Sequence, residues 1–296
     1  MTKPLLYLLI ATFLWGIHGP AGRFLAESGV DMNFVFSARL WMGTSVFFLY
    51  LLLTGNLKIL NWKENIKKVL SIALFGLVLN TLIFHRTLNY LPGTFVMVLE
   101  NLAPIFVFTA TLIFYKLKPL KVEIFALLVS ITGVIMIVLG KGSFPELADG
   151  YYFGIFLGIL TAMTFGGYTF LSADLMRDYK HSPVCIIRFL FKIFLIAAIT
   201  CSPFLFTAKS YPSSSSEWFW LIQMGIMQSG VAYIFWNFAL SHIKANTAAI
   251  LFMLTILFTT INEVVFLNLK LNSHLVIGAL CICLSGCFIS ISLRKR

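Results

Sequence analysis

Gly93-Thr94-Phe95-Val96-Met97-Val98-Leu99-Glu100-Asn101-Leu102-Ala103-Pro104-Ile105-Phe106-Val107-Phe108-Thr109-Ala110-Thr111-Leu112-Ile113-Phe114-Tyr115 decides the class of this chain. The stretch is long enough to cross a bilayer, which takes about 20 mostly apolar residues. It carries one carboxylate, Glu100. A carboxylate in hydrocarbon is costly and persists where it serves a purpose. Outward from this stretch the pattern repeats. Helices are expected near 5–26, 34–54, 68–90, 93–115, 121–139, 151–172, 183–206, 218–240, 245–267 and 273–292. Breaks fall at Gly55-Asn56, Pro92-Gly93, Lys118-Pro119, Gly140 to Gly150, Ser182-Pro183 and Tyr211-Pro212-Ser213. The fold class is an all-α integral membrane protein of ten transmembrane helices.

Composition agrees. Of 296 residues, 59% are hydrophobic and 11% charged, against roughly 25% charged in a soluble domain. The mean hydropathy is +0.93. A net charge of +11 raises the question of nucleic acid. The Lys and Arg residues sit in short loops and tails and form no basic face, so no nucleic-acid partner is expected. The apolar run from Leu5 lacks a small-x-small cleavage site and leads into Trp15-Gly16 and Pro20, so it reads as the first span. With the N-terminus inside, Lys58, Lys63, Lys67, Lys68, Lys116, Lys118, Lys121, Arg177, Lys180, Lys244, Arg294, Lys295 and Arg296 all fall on the inner side. Both termini are therefore expected in the cytoplasm, in a plasma or inner membrane. Cys185, Cys201, Cys281, Cys283 and Cys287 have neither CxxC spacing nor a nearby ligand set, and read as packing residues. No metal and no cofactor are expected.

The chain repeats itself. Ala126-Leu127 followed by Gly133 recurs as Ala279-Leu280 followed by Gly286. At that offset Gly93-Thr94 falls on Asn246-Thr247. Trp15-Gly16 falls near Phe165-Gly166, and Arg39 near Arg188. Residues 1–140 and 151–296 each hold five helices. An odd number inverts the second half in the membrane, as in alternating-access transporters with a central cavity at the interface of their halves.

The chain resembles the EamA-type branch of the drug/metabolite transporter superfamily. The resemblance rests on Leu14-Trp15-Gly16, on Arg39 within Ser37-Ala38-Arg39-Leu40, and on the stretch from Leu88-Asn89-Tyr90-Leu91 through Ala103-Pro104-Ile105-Phe106 to Gly133-Val134. In the second half it rests on Ala239-Leu240, Ala245-Asn246-Thr247-Ala248 and Gly286. It covers nearly the whole chain. It implies a ten-helix basket with helices three, four, eight and nine around a cavity, and transport of small metabolites, often outward. Two departures stand out. Leu257 occupies a frequent proline position, and Tyr115-Lys116 replaces a Gly-Glu pair, so that carboxylate's role does not transfer.

Glu100 lies roughly 10 Å below the outer end of its helix, and Glu263 within roughly 6 Å of the same interface. Either could attract a cation or hold a proton; alternatively Arg23 or Arg86 neutralises Glu100, and Glu263 reaches the headgroups. His85 is a third proton-coupling candidate. Helix eight presents Ser229, Tyr233, Trp236 and Asn237 at helical spacing. Helix six presents Thr161, Thr164, Tyr168 and Ser172, helix one Trp15 and His18, and helix three Asn80. If these faces converge they make an aromatic-walled cavity for a small amphipathic molecule, and with Glu100 for an amine. The expected substrate contacts are thus Trp15, His18, Asn80, Glu100, Tyr168, Tyr233, Trp236 and Asn237. The competing reading is that Trp and Tyr anchor at interfaces and Thr and Ser bond back to their own helices. Arg39 and Arg188 read equally as snorkelling residues or as members of gate ion pairs, and a carboxylate-bearing substrate would want one of them or Arg86. Pro104 and Gly166 are the expected hinges.

A secondary transporter follows, moving an amino acid or amine, exporting it, with protons coupled through Glu100. Uptake of a cationic amine or vitamin-like nutrient is the alternative. The partners are a small molecule and the bilayer, with a homodimer compatible. An ATP-driven pump lacks its GxxxxGK[ST] motif. A membrane enzyme lacks DxxD, HExxH and GxSxG, and a channel lacks a pore-ring motif.

Overall fold

The computed structural model describes residues 3–57, 60–91, 93–140, 150–266 and 270–294. The breaks expected at Pro92 and between Gly140 and Gly150 lie outside them, as do Lys58, Lys295 and Arg296. The described chain is helical throughout. Eight helices are long and apolar enough to cross a membrane: α1 (Lys3–Glu27), α2 (Met32–Leu53), α3 (Ile66–Thr87), α4 (Phe95–Tyr115), α5 (Lys121–Gly140), α6 (Tyr151–Asp178), α7 (Pro183–Cys201) and, near the C-terminus, Ala245–Val265. Before that last helix the consecutive segments Ser215–Gln223, Met224–Val231 and Ala232–Leu240 make α8. Ala245–Val265 is then α9, and Ser273–Arg294 is α10. α6 runs six residues beyond its expected end at 172. α7 stops before Pro203, which starts a separate short turn, Pro203–Phe206.

Several helices are broken, one of them at a proline. α1 is interrupted at Ile17, between Lys3–Gly16 and His18–Glu27. α4 is interrupted between Gly93–Glu100 and Ala103–Tyr115. Pro104 has no N–H to give the carbonyl of Glu100, so the regular ladder cannot pass this point. α9 breaks at Met253 without a proline. α3 and α8 each contain an eight-residue π-helical segment, Ile72–Leu79 and Met224–Val231. These two segments, and the breaks in α4 and α9, recur at the spacing of Ala126 and Ala279 to within a residue or two.

The packing is paired in the same way. α1 lies against α8 and α9, while α6 lies against α3 and α4. α2 packs on α7, and α5 on α10. Lipid tails are as apolar as leucine, so burial alone does not hold helices together in a bilayer. Close approach and interhelical hydrogen bonds must do so. The α5–α10 contact shows both. A methyl group on Gly278 would lie 2.6 Å from the Gly133 carbonyl oxygen. Ser130 Oγ donates to Ser285 Oγ at 2.6 Å, and Ser285 Oγ to the Ala126 carbonyl at 2.8 Å. Large apolar side chains such as Phe114, Phe156, Phe219 and Leu280 point outward.

Candidate functional site

The helix irregularities converge. Trp15 and His18 flank the break in α1, Asn80 follows the π segment of α3, and Tyr233 follows that of α8. Glu100 ends the first part of α4, and Phe252 precedes the break in α9. All six line one cavity, together with Arg39, Thr81, Phe84, His85, Met97 and Phe165. π segments and broken turns free backbone groups from the helical ladder and often mark functional sites. One freed group is visible: the Gln228 carbonyl, inside the α8 π segment, accepts a 3.0 Å hydrogen bond from Trp15 Nε1.

Two opposite charges face this cavity. Arg39, 7% exposed, directs Nη1 at His18 Nε2 (3.0 Å) and Nε at Ser229 Oγ (3.3 Å). Because the guanidinium can only donate, His18 Nε2 is the acceptor. Glu100, 8% exposed, accepts a 3.5 Å bond from Asn80 Nδ2. Asn80 Nδ2 is held more closely by the Thr161 carbonyl (3.1 Å) and Thr164 Oγ1 (3.2 Å) of α6. Neither Arg39 nor Glu100 makes an ion pair among the described residues. Arg23 is engaged with Glu27 at 2.7 Å and is not a counter-ion for Glu100.

Of the expected substrate contacts, Trp15, His18, Asn80, Glu100 and Tyr233 line the cavity, as does the proton-coupling candidate His85. His85 Nδ1 lies 2.8 Å from the Thr81 carbonyl. Tyr168, Trp236 and Asn237 lie one layer behind. Asn237 Nδ2 donates to Tyr168 Oη at 2.7 Å. Trp236 packs on Trp15, Phe165 and Phe252 with ring centroids 5.2 to 5.9 Å apart. Tyr168 and Trp236 are among the largest fully buried side chains. Glu263 is buried on α9 and outside the cavity lining. Pro104 begins the second part of α4, and a methyl at Gly166 would lie 3.0 Å from the Ala103 carbonyl and from Phe106 Cβ, so both residues meet at the α4 break. In the α6 polar stripe, Thr161 and Thr164 also bond back to their own helix.

Arg39 does not snorkel to an interface; it is buried against His18 and Ser229. The argument that singled out Glu100 applied to it equally, since a charged side chain within a span faces the bundle interior or a water-filled cavity. Phe84, Met97, Phe165 and Phe252 were indistinguishable in sequence from lipid-facing apolar residues.

The cavity holds about 60 Å³, room for a few waters. Sites for small organic ligands run to roughly 300 Å³ and more, so this cavity is smaller than such a site.

A bundle of membrane-crossing helices enclosing a small polar cavity defines a multi-pass membrane protein. The EamA-like transporter family model matches residues 2–139 and 152–291, and the chain belongs to that family. A protein of Archaeoglobus fulgidus described as an uncharacterized transporter is 27% identical over 74% of this chain and 74% of its own. The biotin transporter of Salmonella typhimurium is 25% identical over 82% of this chain and 78% of its own. One crystal structure of a protein shares the fold, with a TM-score of 0.78 and 18% identity over 99% of this chain and 98% of that one.

Proposed function

We propose that the chain is a secondary transporter that moves a small zwitterionic metabolite, an amino acid being the leading choice, by alternating access. The observation that carries this reading is the unpaired placement of Arg39 and Glu100 in one aromatic-walled cavity. Uncompensated burial of an ion costs roughly several kcal/mol. A ligand that brings a carboxylate to Arg39 and an ammonium to Glu100 compensates both at once. In the empty carrier, a proton on Glu100 does the same for the carboxylate, which couples the return step to protons. We place residues 1–140 and 151–296 as inverted halves. The matched π segments, the matched breaks in α4 and α9 and the paired packing support this. We further place both termini in the cytoplasm of a plasma or inner membrane, with Pro104 and Gly166 at the moving joint of α4 and α6. Export is the expected direction.

The likeness to biotin transporters favours a second reading, uptake of a vitamin-like nutrient with a carboxylate. Arg39 would serve it in the same way, and Asn80 with Glu100 would accept its N–H groups.

Counterflow in proteoliposomes tests the reading. Vesicles preloaded with one unlabelled amino acid should accumulate the labelled form, and Arg39→Met should abolish this while the protein remains folded. Biotin counterflow without amino-acid counterflow selects the second reading. Full counterflow in Arg39→Met removes the proposed carboxylate contact.

A further inference from the structure

A second pair of cations, buried Lys192 and half-buried Arg188, lines a separate pocket. Ser37 Oγ donates to the Cys201 carbonyl at 2.8 Å, and Arg188 Nη2 to Asn56 Oδ1 at 3.1 Å, so α2 and α7 run antiparallel. At 1.5 Å per residue, Arg39 on α2 and Lys192 on α7 are roughly 10 Å apart along the axis. Lys192 falls on Arg39 at the offset that relates Ala126 to Ala279 and Gly133 to Gly286. It is as deeply buried, at 5% exposed. On the cavity side, Tyr233 packs on Phe194 of α7 with rings 4.9 Å apart.

The pocket around Lys192 is also lined by Asn61, Glu64, Val69, Tyr179, Cys185, Arg188 and Phe189. Asn61 and Glu64 reach it from between α2 and α3. Lys192 Nζ donates to the Asn61 carbonyl at 2.5 Å. Arg188 Nε is buried and has no partner among the described residues. The one carboxylate lining the pocket, Glu64, accepts from Tyr179 Oη at 3.5 Å and forms no ion pair with either cation among the described residues. Two cations thus share a pocket in which neutral oxygens, Asn56 Oδ1 and Asn61 O, fill positions where a carboxylate would bind both more strongly.

We propose that this pocket is a second carboxylate site, in which Lys192 and Arg188 take the acid group of a small molecule and the Asn56 and Asn61 oxygens occupy its place while the site is empty. The site deepens the transport reading and rests on it for the identity of the ligand. The carboxylate held by Arg39 in one half is met by Lys192 and Arg188 in the other. Binding displaces Asn56 and Asn61, which makes these two residues the gate on that side.

The test is amide hydrogen exchange of the full chain in phosphatidylcholine nanodiscs, with sodium benzoate as the probe against matched sodium chloride. Benzoate should speed exchange across the described parts of 54–65 at least threefold, in the wild type and in Arg39→Met alike. Lys192→Arg should keep the response, and Lys192→Met and Arg188→Gln should lose it. Two variants guard against one failing to fold. No benzoate response at 54–65, or an equal response in Lys192→Met and Arg188→Gln, overturns the site. The same acceleration produced by phosphatidylglycerol without benzoate assigns the cations to lipid headgroups and also overturns it. A response that survives in Arg39→Met while that variant still transports leaves this site standing and removes the Arg39 reading instead.

Discussion

Arg39 Nη1 lies 3.0 Å from His18 Nε2, and this contact joins α2 to the break in α1. The imidazole must present a lone pair to the guanidinium, so its proton sits on Nδ1. A second cation at His18 would repel Arg39. The pair therefore acts as one unit whose geometry depends on His18 staying neutral.

Replacing Arg39 by Lys keeps a charge but loses the fork that reaches His18 and Ser229 together. Transport by Arg39→Lys should fall at least tenfold, chiefly through a higher KM, and Arg39→Met should fall further. Proteoliposome flux over a range of substrate concentrations reads this. A KM within twofold of wild type in Arg39→Lys would place the substrate contact elsewhere.

Glu100→Gln preserves shape and the Asn80 contact while removing the ionisable group. The variant should fold normally. It should lose the component of net flux driven by a pH gradient yet retain exchange of substrate across the membrane. Flux measured with and without an imposed gradient checks this, and an undiminished gradient response would remove Glu100 from coupling.

Trp15 and Trp236 are expected to behave differently. Trp15→Phe loses the donor to the freed Gln228 carbonyl at the cavity wall and should weaken ligand-dependent thermal stabilisation. Trp236 lies behind the wall and its Nε1 has no partner among the described residues. Trp236→Phe should therefore bind substrate within threefold of wild type, whereas Trp236→Ala should lose about 3–5 kcal/mol of stability through the cavity left behind. Equal loss of affinity in Trp236→Phe and Trp15→Phe would contradict this layering.

The α5–α10 contact should govern stability without governing affinity. Gly278→Ala places a methyl 2.6 Å from the Gly133 carbonyl oxygen, an overpacking worth about 1–3 kcal/mol. Thermal denaturation in detergent should show a lower midpoint, and substrate KM should stay unchanged. A KM altered severalfold would mean that this pair moves during transport.

Much of the fold was legible because lipid imposes one simple rule. Backbone polar groups cannot stay unpaired in hydrocarbon, so apolar runs of sufficient length become helices, and α2, α5 and α9 lie close to where hydropathy puts them. Glu100 stood out by the same logic, as a carboxylate where none is cheap. The π segments at Ile72–Leu79 and Met224–Val231 have no such signature. In the first of them α6 approaches closely: a methyl at Gly76 would lie 2.9 Å from Tyr168 Cβ.

The sequence by itself determined the membrane class, the order of the helices and six of the cavity's polar and aromatic residues, because cost in hydrocarbon depends on residue type and run length alone. Only the tertiary structure decided that Arg39 shares a cavity with Glu100, that Tyr168, Trp236 and Asn237 stand behind its wall, and that Lys192 and Arg188 share a pocket with Asn61 and Glu64. Those facts depend on which face each helix turns to its neighbours. In a chain apolar on nearly every face, that choice is made by close packing and interhelical hydrogen bonds between distant residues, which no local pattern records.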